Sequence, residues 1–525
     1  MSRGLYCSNE AVSLVEYCSC DDRALYDCWF DPETKQGYNG WTPAASFEEF
    51  QQNNQQRHED FVNGESEALL FAMIQCNATS EIVGAVSTAP GTPPEFEPDL
   101  SIRIFAPYRR QGYGTSAFAL AAKYATETLG IAELHAGAYL DNIGSKKMLV
   151  RCGFVPLALC PAEKHYLTGE DVFQMDYIYK PMQTVHVPLG DRAYDVMIGS
   201  GLLSQCGALI RDALAPQKAL IITDENVQNC GYVDSALQSL QAAGVKAECF
   251  TLRAGEEHKI LASYEGILQA CTAFGLTGSD ILVALGGGVV GDLTGFAAAS
   301  YRRGIAYVQI PTTLLAAVDS SVGGKTGLNL PTGKNLVGAF WQPSLVICDT
   351  ETHATLPPAE YANGVAECIK YGVLWDESLF SALAQGSNVT TEQIARCVAL
   401  KRDVVVGDER DTGARRLLNL GHTLGHAIEQ ASSYTIPHGA AVGIGMALMC
   451  KAFCPAIYDN VCAALHANHL PTHCDFSVTE LFEALSRDKK RMGDDITIIV
   501  SLRIGQCELR TLSLSSFKAL LEEKL

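Results

Sequence analysis

The sequence predicts a multidomain α/β protein: an N-terminal α/β block, a second α/β domain built on a parallel sheet, and an all-α domain at the C-terminal end. Its 525 residues amount to about three or four typical single domains. Between 185 and 349, apolar β-rich runs such as KALIITD (218–224), DILVALGGG (280–288) and AYVQIP (306–311) alternate with helical patterns, the signature of βαβ units. Beyond about Asp349, amphipathic stretches dominate (359–374, 391–407, 416–432 and 439–454), with almost no strand signal between them. The first joint falls at 180–184, where YIYKPMQTVHVPL passes from one apparent strand through Lys180-Pro181 into another. The expected domains are therefore 1–180, 184–348 and 349–525.

Composition narrows the function. A hydrophobic fraction of 47% with 19% charged residues is that of globular protein and leaves no support for disorder. The net charge of −20 argues against a nucleic-acid partner, whose phosphates call for Lys and Arg. No apolar run reaches the roughly 18 residues of a membrane span, and residues 1–30 carry acids and Arg where a leader needs an apolar stretch, so a cytoplasmic protein with no membrane partner is expected. The 19 Cys are scattered, with one close pair at Cys18/Cys20 and no CxxC, and read as reduced thiols. Residues 1–100 hold 17 acids against 4 bases, which fits a solvated acidic face or one that attracts a cationic substrate.

In the first block, LSIRIFAPYRRQGYGTSAFALAAKYA (100–125) sets an alternating strand before Arg109-Arg110-Gln111-Gly112-Tyr113-Gly114-Thr115 and an amphipathic helix. Backbone N–H groups at a glycine-opened turn, with the positive end of a helix dipole, bind phosphate without side-chain charge. A second strand, Asn142, a short helix and Gly153-Phe154 follow. This pattern resembles the GNAT family of N-acetyltransferases over roughly residues 1–180. The resemblance implies an acetyl-CoA cosubstrate, with Arg109, Gln111, Gly112, Gly114 and Thr115 cradling the pyrophosphate, Asn142 near the pantetheine, and an amine acceptor that composition does not name. Where many members carry a Tyr as acid to the leaving thiolate, this chain has Leu149, so no side chain is assigned that role.

In the second block, Gly286-Gly287-Gly288-Val289-Val290-Gly291-Asp292 satisfies G-x-G-x-x-G after an apolar strand and opens a helix, the spacing by which backbone approaches a dinucleotide pyrophosphate. Asp224-Glu225-Asn226, Gly255-Glu256-Glu257-His258-Lys259 and Thr312-Thr313 follow other strands, where ligands of open α/β sheets gather. Further on, His422 and His426 lie i, i+4 on one helix face, with His438, Glu367 and Lys370 nearby in the helical half; two imidazoles and a carboxylate are a usual catalytic zinc set. Between the halves, 316–343 crowds Lys325, Lys334 and Asn335 after Asp319, with Arg302 and Arg303 upstream, a local cationic patch suited to an anionic phosphorylated substrate.

GGGVVGD, DSSVGGKTGLN, GKNLVGAF, AECIKYG and GHTLGHAIE together resemble the 3-dehydroquinate synthase family from about Val185 to the C-terminus. The resemblance implies a Rossmann-like NAD domain and a helical metal domain, with a divalent ion (Zn or Co) held by Glu367, His422 and His438. It places NAD against Asp224, Glu256, Lys259, Gly287, Gly288, Val289, Asp292, Thr312, Thr313, Lys334 and Thr355. Substrate and catalysis fall to Asp319, Lys325, Asn335, Lys370, Lys401, Arg415, Asn419, His426 and one or both of Lys489 and Lys490, while Arg303 reaches a partner's phosphate pocket and so implies a homodimer. Asp411 and Ala440 stand where Glu is usual in that family. The implied reaction converts 3-deoxy-D-arabino-heptulosonate 7-phosphate to 3-dehydroquinate and phosphate: a hydride is lent to NAD, phosphate is eliminated, the hydride returns, and the ring opens and closes by an aldol step. Another sugar phosphate cyclase, or a metal-dependent polyol dehydrogenase that releases NADH, is the alternative, with the first block then an acyl-CoA sensor.

Overall fold

The computed structural model describes residues 3–37, 46–63, 68–89, 98–131, 133–160, 163–165, 170–179, 182–411, 413–487 and 495–524. The chain divides into two compact units, Met1–Met182 and Gln183–Leu525. Among the described residues, no helix is long and apolar enough to cross a membrane.

The first unit is an eight-stranded sheet in the order Leu5–Ser8, Val12–Glu16, Leu70–Cys76, Ile82–Ala89, Asp99–Ile104, His135–Tyr139, Gln174–Tyr179, Phe154–Leu159. One adjacent pair is parallel, Asp99–Ile104 with His135–Tyr139, and it is joined only at Asp99↔His135. Beyond that point the two strands are unpaired with each other, so the sheet opens toward their C-terminal ends. The helix Tyr113–Glu127 connects them and buries Ala117, Phe118, Ala121, Ala122 and Ala125 against the sheet. Small alanines let the helix lie close to the strands.

The second unit carries a seven-stranded sheet in the order Gln183–Val187, Tyr194–Gly199, Leu345–Asp349, Ala306–Pro311, Ile281–Gly286, Lys218–Asp224, Lys246–Leu252. All pairs are parallel except the first, which is an antiparallel hairpin edge. Ile281–Gly286 is buried at every residue, as a central parallel strand covered on both faces requires. From Lys218–Asp224 the chain first steps outward to Lys246–Leu252 and then crosses back to Ile281–Gly286, so strand order reverses between Lys218–Asp224 and Ile281–Gly286. A crevice at strand C-termini belongs at such a switch point.

The region after Asp349 is helical, as expected, and adds one element that the sequence reading passed over. Asp495–Arg503 and Gln506–Ser513 form an antiparallel hairpin across Ile504-Gly505, with Ile496, Ile498, Ile499 and Val500 buried. The two halves of this unit share a core: Val196 and Val346 of the sheet pack in one cluster with Leu314, Val365, Ile369, Leu400 and Met446.

Candidate active site

Three helices meet at the centre of the second unit: Pro358–Trp375, His422–Ala431 and His438–Phe453. Glycines set their spacing. Gly421, at φ +78, caps the second helix, and a Cβ there would lie 2.6 Å from the Val442 carbonyl oxygen. A Cβ on Gly439 would stand 2.3 Å from Asn363 Cα. Close backbone approach at these points delivers Glu367, His422 and His438 to one spot, their ligand atoms all within 4.8 Å of one another.

Glu367 is 2% exposed. Oε2 faces the Lys370 ammonium as an ion pair, while Oε1 lies 3.4 Å from His422 Nε2 and 3.6 Å from His438 Nε2. Ligands on bonds of about 2.1 Å to one tetrahedral ion stand roughly 3.4 Å apart, so these separations fit a divalent metal between them. The outer partners fit as well: His422 Nδ1 lies 3.1 Å from the Leu420 carbonyl, and His438 Nδ1 is 3.5 Å from Glu429 Oε2, which leaves both Nε2 atoms turned inward. Burial raises the Glu367 carboxyl, but Lys370 and His422 more than offset it and hold it at about 2. Burial, then Lys370, pushes His422 down to about 3. Burial works against charge on His438 too, yet the Glu367 and Glu429 carboxylates lift it to about 9.

Cations surround this point. Lys370 and Lys401 are buried, and Lys401 Nζ donates to Asp319 Oδ1 at 2.7 Å, where Tyr371 Oη also donates at 2.9 Å. Burial raises the Asp319 carboxyl, but Lys401 and Lys370 overcome it and hold it well below the carboxylate range. Burial brings Lys401 down to about 8 against the pull of Asp319. Asp319 lies in a π-helical turn, Ala316–Ser320, a geometry that recurs at functional sites. Arg415 is buried and donates to the Glu409 carbonyl at 2.7 Å and the Gly323 carbonyl at 3.1 Å. Lys325, more exposed, pairs with Asp411, which sits at φ +58. The loop bearing Asp411 and Arg415 is pinned by Glu409, which pairs with Arg192 and accepts from Gln342 at 3.0 Å.

At the switch point, Asp224 and Gly286 end neighbouring strands. Gly287 caps the helix Gly288–Ser300 with no side-chain bond of its own, leaving backbone donors of the first turn for an anion. A Cβ on Gly287 would press on Thr313 at 3.2 Å and one on Gly288 on Ser320 at 3.2 Å. Val289 and Asp292 follow in that helix, and Thr312 donates its N–H to the Gly286 carbonyl at 3.1 Å. Lys259 Nζ bridges Asp292 Oδ2 at 2.5 Å and Asn335 Oδ1 at 2.6 Å, while Glu256 accepts from Asn329 at 2.8 Å. Thr355 bonds Tyr232 Oη at 2.8 Å, and Asp224 caps the next helix through Val227 N at 3.0 Å.

In the first unit, Gly112 at φ +88 caps Tyr113–Glu127, and a Cβ there would meet nothing within 4 Å, so the turn is open above its backbone donors. Gly114 and Thr115 lie in the first turn of that helix. Arg109 does not extend from this turn. Its guanidinium is held by Asp31 at 2.6 Å, Thr34 at 2.7 Å and the Ile104 carbonyl at 3.0 Å. Gln111 donates to the Pro107 carbonyl at 3.0 Å, and Asn142 Oδ1 caps Ile143–Arg151 through Ser145 N at 3.0 Å. Leu149 is buried in the core.

Against protein families, residues 249–363 match the 3-dehydroquinate synthase N-terminal model, 364–491 the 3-dehydroquinate synthase C-terminal model, and 13–155 the acetyltransferase (GNAT) domain model. The 3-dehydroquinate synthase of Rhizobium etli is 44% identical over 349 residues, which span 62% of this chain and 92% of that protein. The chain belongs to the 3-dehydroquinate synthase family. The Caulobacter vibrioides synthase is 42% identical over 65% of this chain and 99% of its own length. Among solved structures, 2-deoxy-scyllo-inosose synthase with carbaglucose-6-phosphate, NAD+ and Co2+ is 25% identical with a TM-score of 0.59, covering 65% of this chain and all of that one. The 2-epi-5-epi-valiolone synthase of Streptomyces hygroscopicus subsp. jinggangensis, with NAD+ and Zn2+, is 27% identical with a TM-score of 0.56, covering 63% and 95%. To this synthase family the chain adds an N-terminal GNAT domain.

Set against the family pattern, the fold brings Asp319, Lys370, Lys401, Glu367, His422, His426 and His438 together; His426 stands 5.5 Å from His422 and 6.1 Å from His438 between ring centres. Asn419 is exposed at the end of the turn Ala414–Asn419. Lys489 and Lys490 lie outside the described residues. Arg303 is exposed at φ +67 just past the C-terminal end of Gly288–Ser300, a helix about 20 Å long at 1.5 Å per residue that starts at the Gly287 turn. Sequence reasoning missed Glu429, which touches both His438 and Lys334 Nζ (3.6 Å), and Tyr371. Glu429 was findable, since His422, His426 and Glu429 recur at i, i+4 and i+7 on one helix face.

Proposed function

We propose that the Gln183–Leu525 unit is a 3-dehydroquinate synthase converting 3-deoxy-D-arabino-heptulosonate 7-phosphate to 3-dehydroquinate and phosphate. The observation that carries this reading is the pair of buried cations, Lys370 and Lys401, beside the Glu367–His422–His438 cluster. A small neutral alcohol needs no such cations; an anionic sugar phosphate does. Glu367, His422 and His438 would hold Zn or Co, and NAD would lie along Gly287–Asp292 and the strand ends; together they supply polarisation of one hydroxyl and a returnable hydride site.

The remaining work belongs to side chains of this chain. Lys325, Arg415 and Asn335 bind carboxylate and phosphate and set the ring's orientation. Asp319 and Tyr371 fix Lys401, so that its ammonium is presented at one place. His426, exposed at the cluster's edge, is placed to take or give a proton at a substrate hydroxyl. Arg303, exposed at the surface, serves a partner subunit's substrate phosphate, which makes the working form a homodimer. The domain limits that go with this reading are 184–348 for NAD and 349–525 for metal and substrate.

For the first unit we infer acetyl-CoA-dependent N-acetyl transfer to an amine, supported by the open Gly112 turn and the splayed strand pair. Arg109 then acts by shaping the turn through Asp31 and Thr34 rather than by touching phosphate.

Metal-loaded protein given the heptulosonate phosphate and substoichiometric NAD should release many phosphates per NAD with no net NADH. NADH accumulating one-for-one with product would make it a dehydrogenase. Turnover of a different sugar phosphate alone would make it another cyclase. Acetyl-CoA consumption with a panel of amines tests the first unit, and binding without turnover would leave it a sensor.

A further inference from the structure

We propose that Cys18 and Cys20 form a reversible dithiol–disulfide site, closed by exchange with a small disulfide of the glutathione class and reopened by the corresponding thiol. The two sulfurs lie 2.9 Å apart, with the Cys20 thiol donating to Cys18 Sγ. Cys18 is also the N-cap of the turn Ser19–Asp21, and its sulfur accepts the Cys20 backbone N–H at 3.5 Å. Arg3 brings a positive charge to the pair: its Nη2 is 3.4 Å from Cys20 Sγ, while Asp21 holds the guanidinium with two contacts of 2.5 and 2.7 Å.

These donors favour negative charge on Cys18. The Cys20 thiol, then the Cys20 N–H, lower the Cys18 thiol below its ordinary value, whereas Cys20 is raised by the same contact. In the proposed cycle Cys18 is the attacking sulfur and Cys20 the resolving thiol. Cys20 is exposed and Cys18 partly so. Other thiols differ in charge or in access: burial pushes Cys7 up to about 11 and Cys206 and Cys271 to about 12, while Cys76, brought down to about 7 by Tyr113 and Thr79, is only 2% exposed. Cys230 is exposed, but its thiol is turned to the Asn226 carbonyl at 3.4 Å.

The Cys18 thiolate attacks one sulfur of the small disulfide; a protein–small-molecule mixed disulfide forms and one small thiolate leaves. Cys20 loses its proton to water and attacks the Cys18 sulfur; the second small thiolate leaves, and the two small thiolates take up the two protons. Two protein thiols are oxidised and one small disulfide is reduced to two thiols. A disulfide spanning a single intervening residue, Ser19, is strained and exposed, which makes it easily reduced and therefore reversible.

The test uses the full chain in mixtures of oxidised and reduced glutathione, followed by alkylation, trypsin and mass spectrometry of the peptide Gly4–Arg23, which holds Cys7, Cys18 and Cys20. The expected result is a peptide lighter by two hydrogens with Cys7 alkylated, formed at least about tenfold faster than any adduct on Cys230 and reversed by dithiothreitol. Cys7→Ser should keep the loss of two hydrogens; Cys18→Ser and Cys20→Ser should abolish it and leave a glutathione adduct on the remaining thiol. A mixed disulfide that persists in the wild type, closure that survives Cys18→Ser, or reaction no faster than at Cys230 would each overturn the proposal.

Discussion

Metal uptake by the Glu367–His422–His438 cluster should be coupled to the release of one proton at neutral pH. In the metal-free protein Glu367 is held at about 2 and His422 at about 3, so both offer lone pairs at pH 7. His438, lifted to about 9, is protonated there and has to lose its proton before Nε2 can bind an ion. Two units below that value, displacing the proton costs about 2.7 kcal/mol at 1.36 kcal/mol per unit, a loss of roughly a hundredfold in apparent affinity. Apparent affinity for Zn or Co should therefore rise about tenfold per pH unit from pH 6 to 8 and level off near 9. Titration calorimetry in buffers of different ionisation enthalpy counts the protons directly, and one per ion is expected at pH 7. Glu429→Gln removes one of the two carboxylates that raise His438, so its plateau should begin at lower pH, while its limiting affinity falls about 10- to 100-fold through loss of the outer partner at 3.5 Å. Affinity that stays flat between pH 6 and 8, or binding without proton release at pH 7, would refute this account of the cluster.

His422→Ala should abolish metal retention and phosphate release while the Met1–Met182 unit stays folded; full metal content in that variant would sink the ligand assignment. Lys325→Met should leave NAD binding intact and cut phosphate release about 10- to 150-fold, from the roughly 1.5–3 kcal/mol of a charge-assisted contact; an unimpaired variant counts against a substrate role. Because burial sets Lys401 near 8, kcat/KM for an anionic substrate should fall as pH rises through 8 and the ammonium is lost, and Lys401→Arg should move that limb upward; an identical limb in the variant assigns it elsewhere. Fragments 1–182 and 183–525 should each be soluble and cooperatively folded, and an insoluble second fragment would show that the two units depend on one another.

Much of this protein is local in origin and was readable as such. The strands Lys218–Asp224, Ile281–Gly286 and Ala306–Pro311 announce themselves as apolar β-rich runs, and their glycine and threonine endings mark the cleft, because a strand buried on both faces needs continuous apolar residues. His422 and His426 follow from helical period alone. The hairpin Asp495–Arg503/Gln506–Ser513 was missed because only one strand is strongly apolar, and the pattern of the other reads as loop until its partner is known. Tertiary structure decided the rest. The fold sets Asp31 and Thr34 against the Arg109 guanidinium, and Asn142 Oδ1 caps the helix that follows it, partners that the local sequence does not reveal. The pairing of Lys325 with Asp411, of Lys401 with Asp319, and of Glu429 with both His438 and Lys334 joins residues on separate elements. Periodicity fixes which face a residue occupies but not which element comes to meet it; that depends on how closely the helices approach, and here Gly421 and Gly439, plain glycines in the sequence, remove the side chains that would have kept Glu367, His422 and His438 apart.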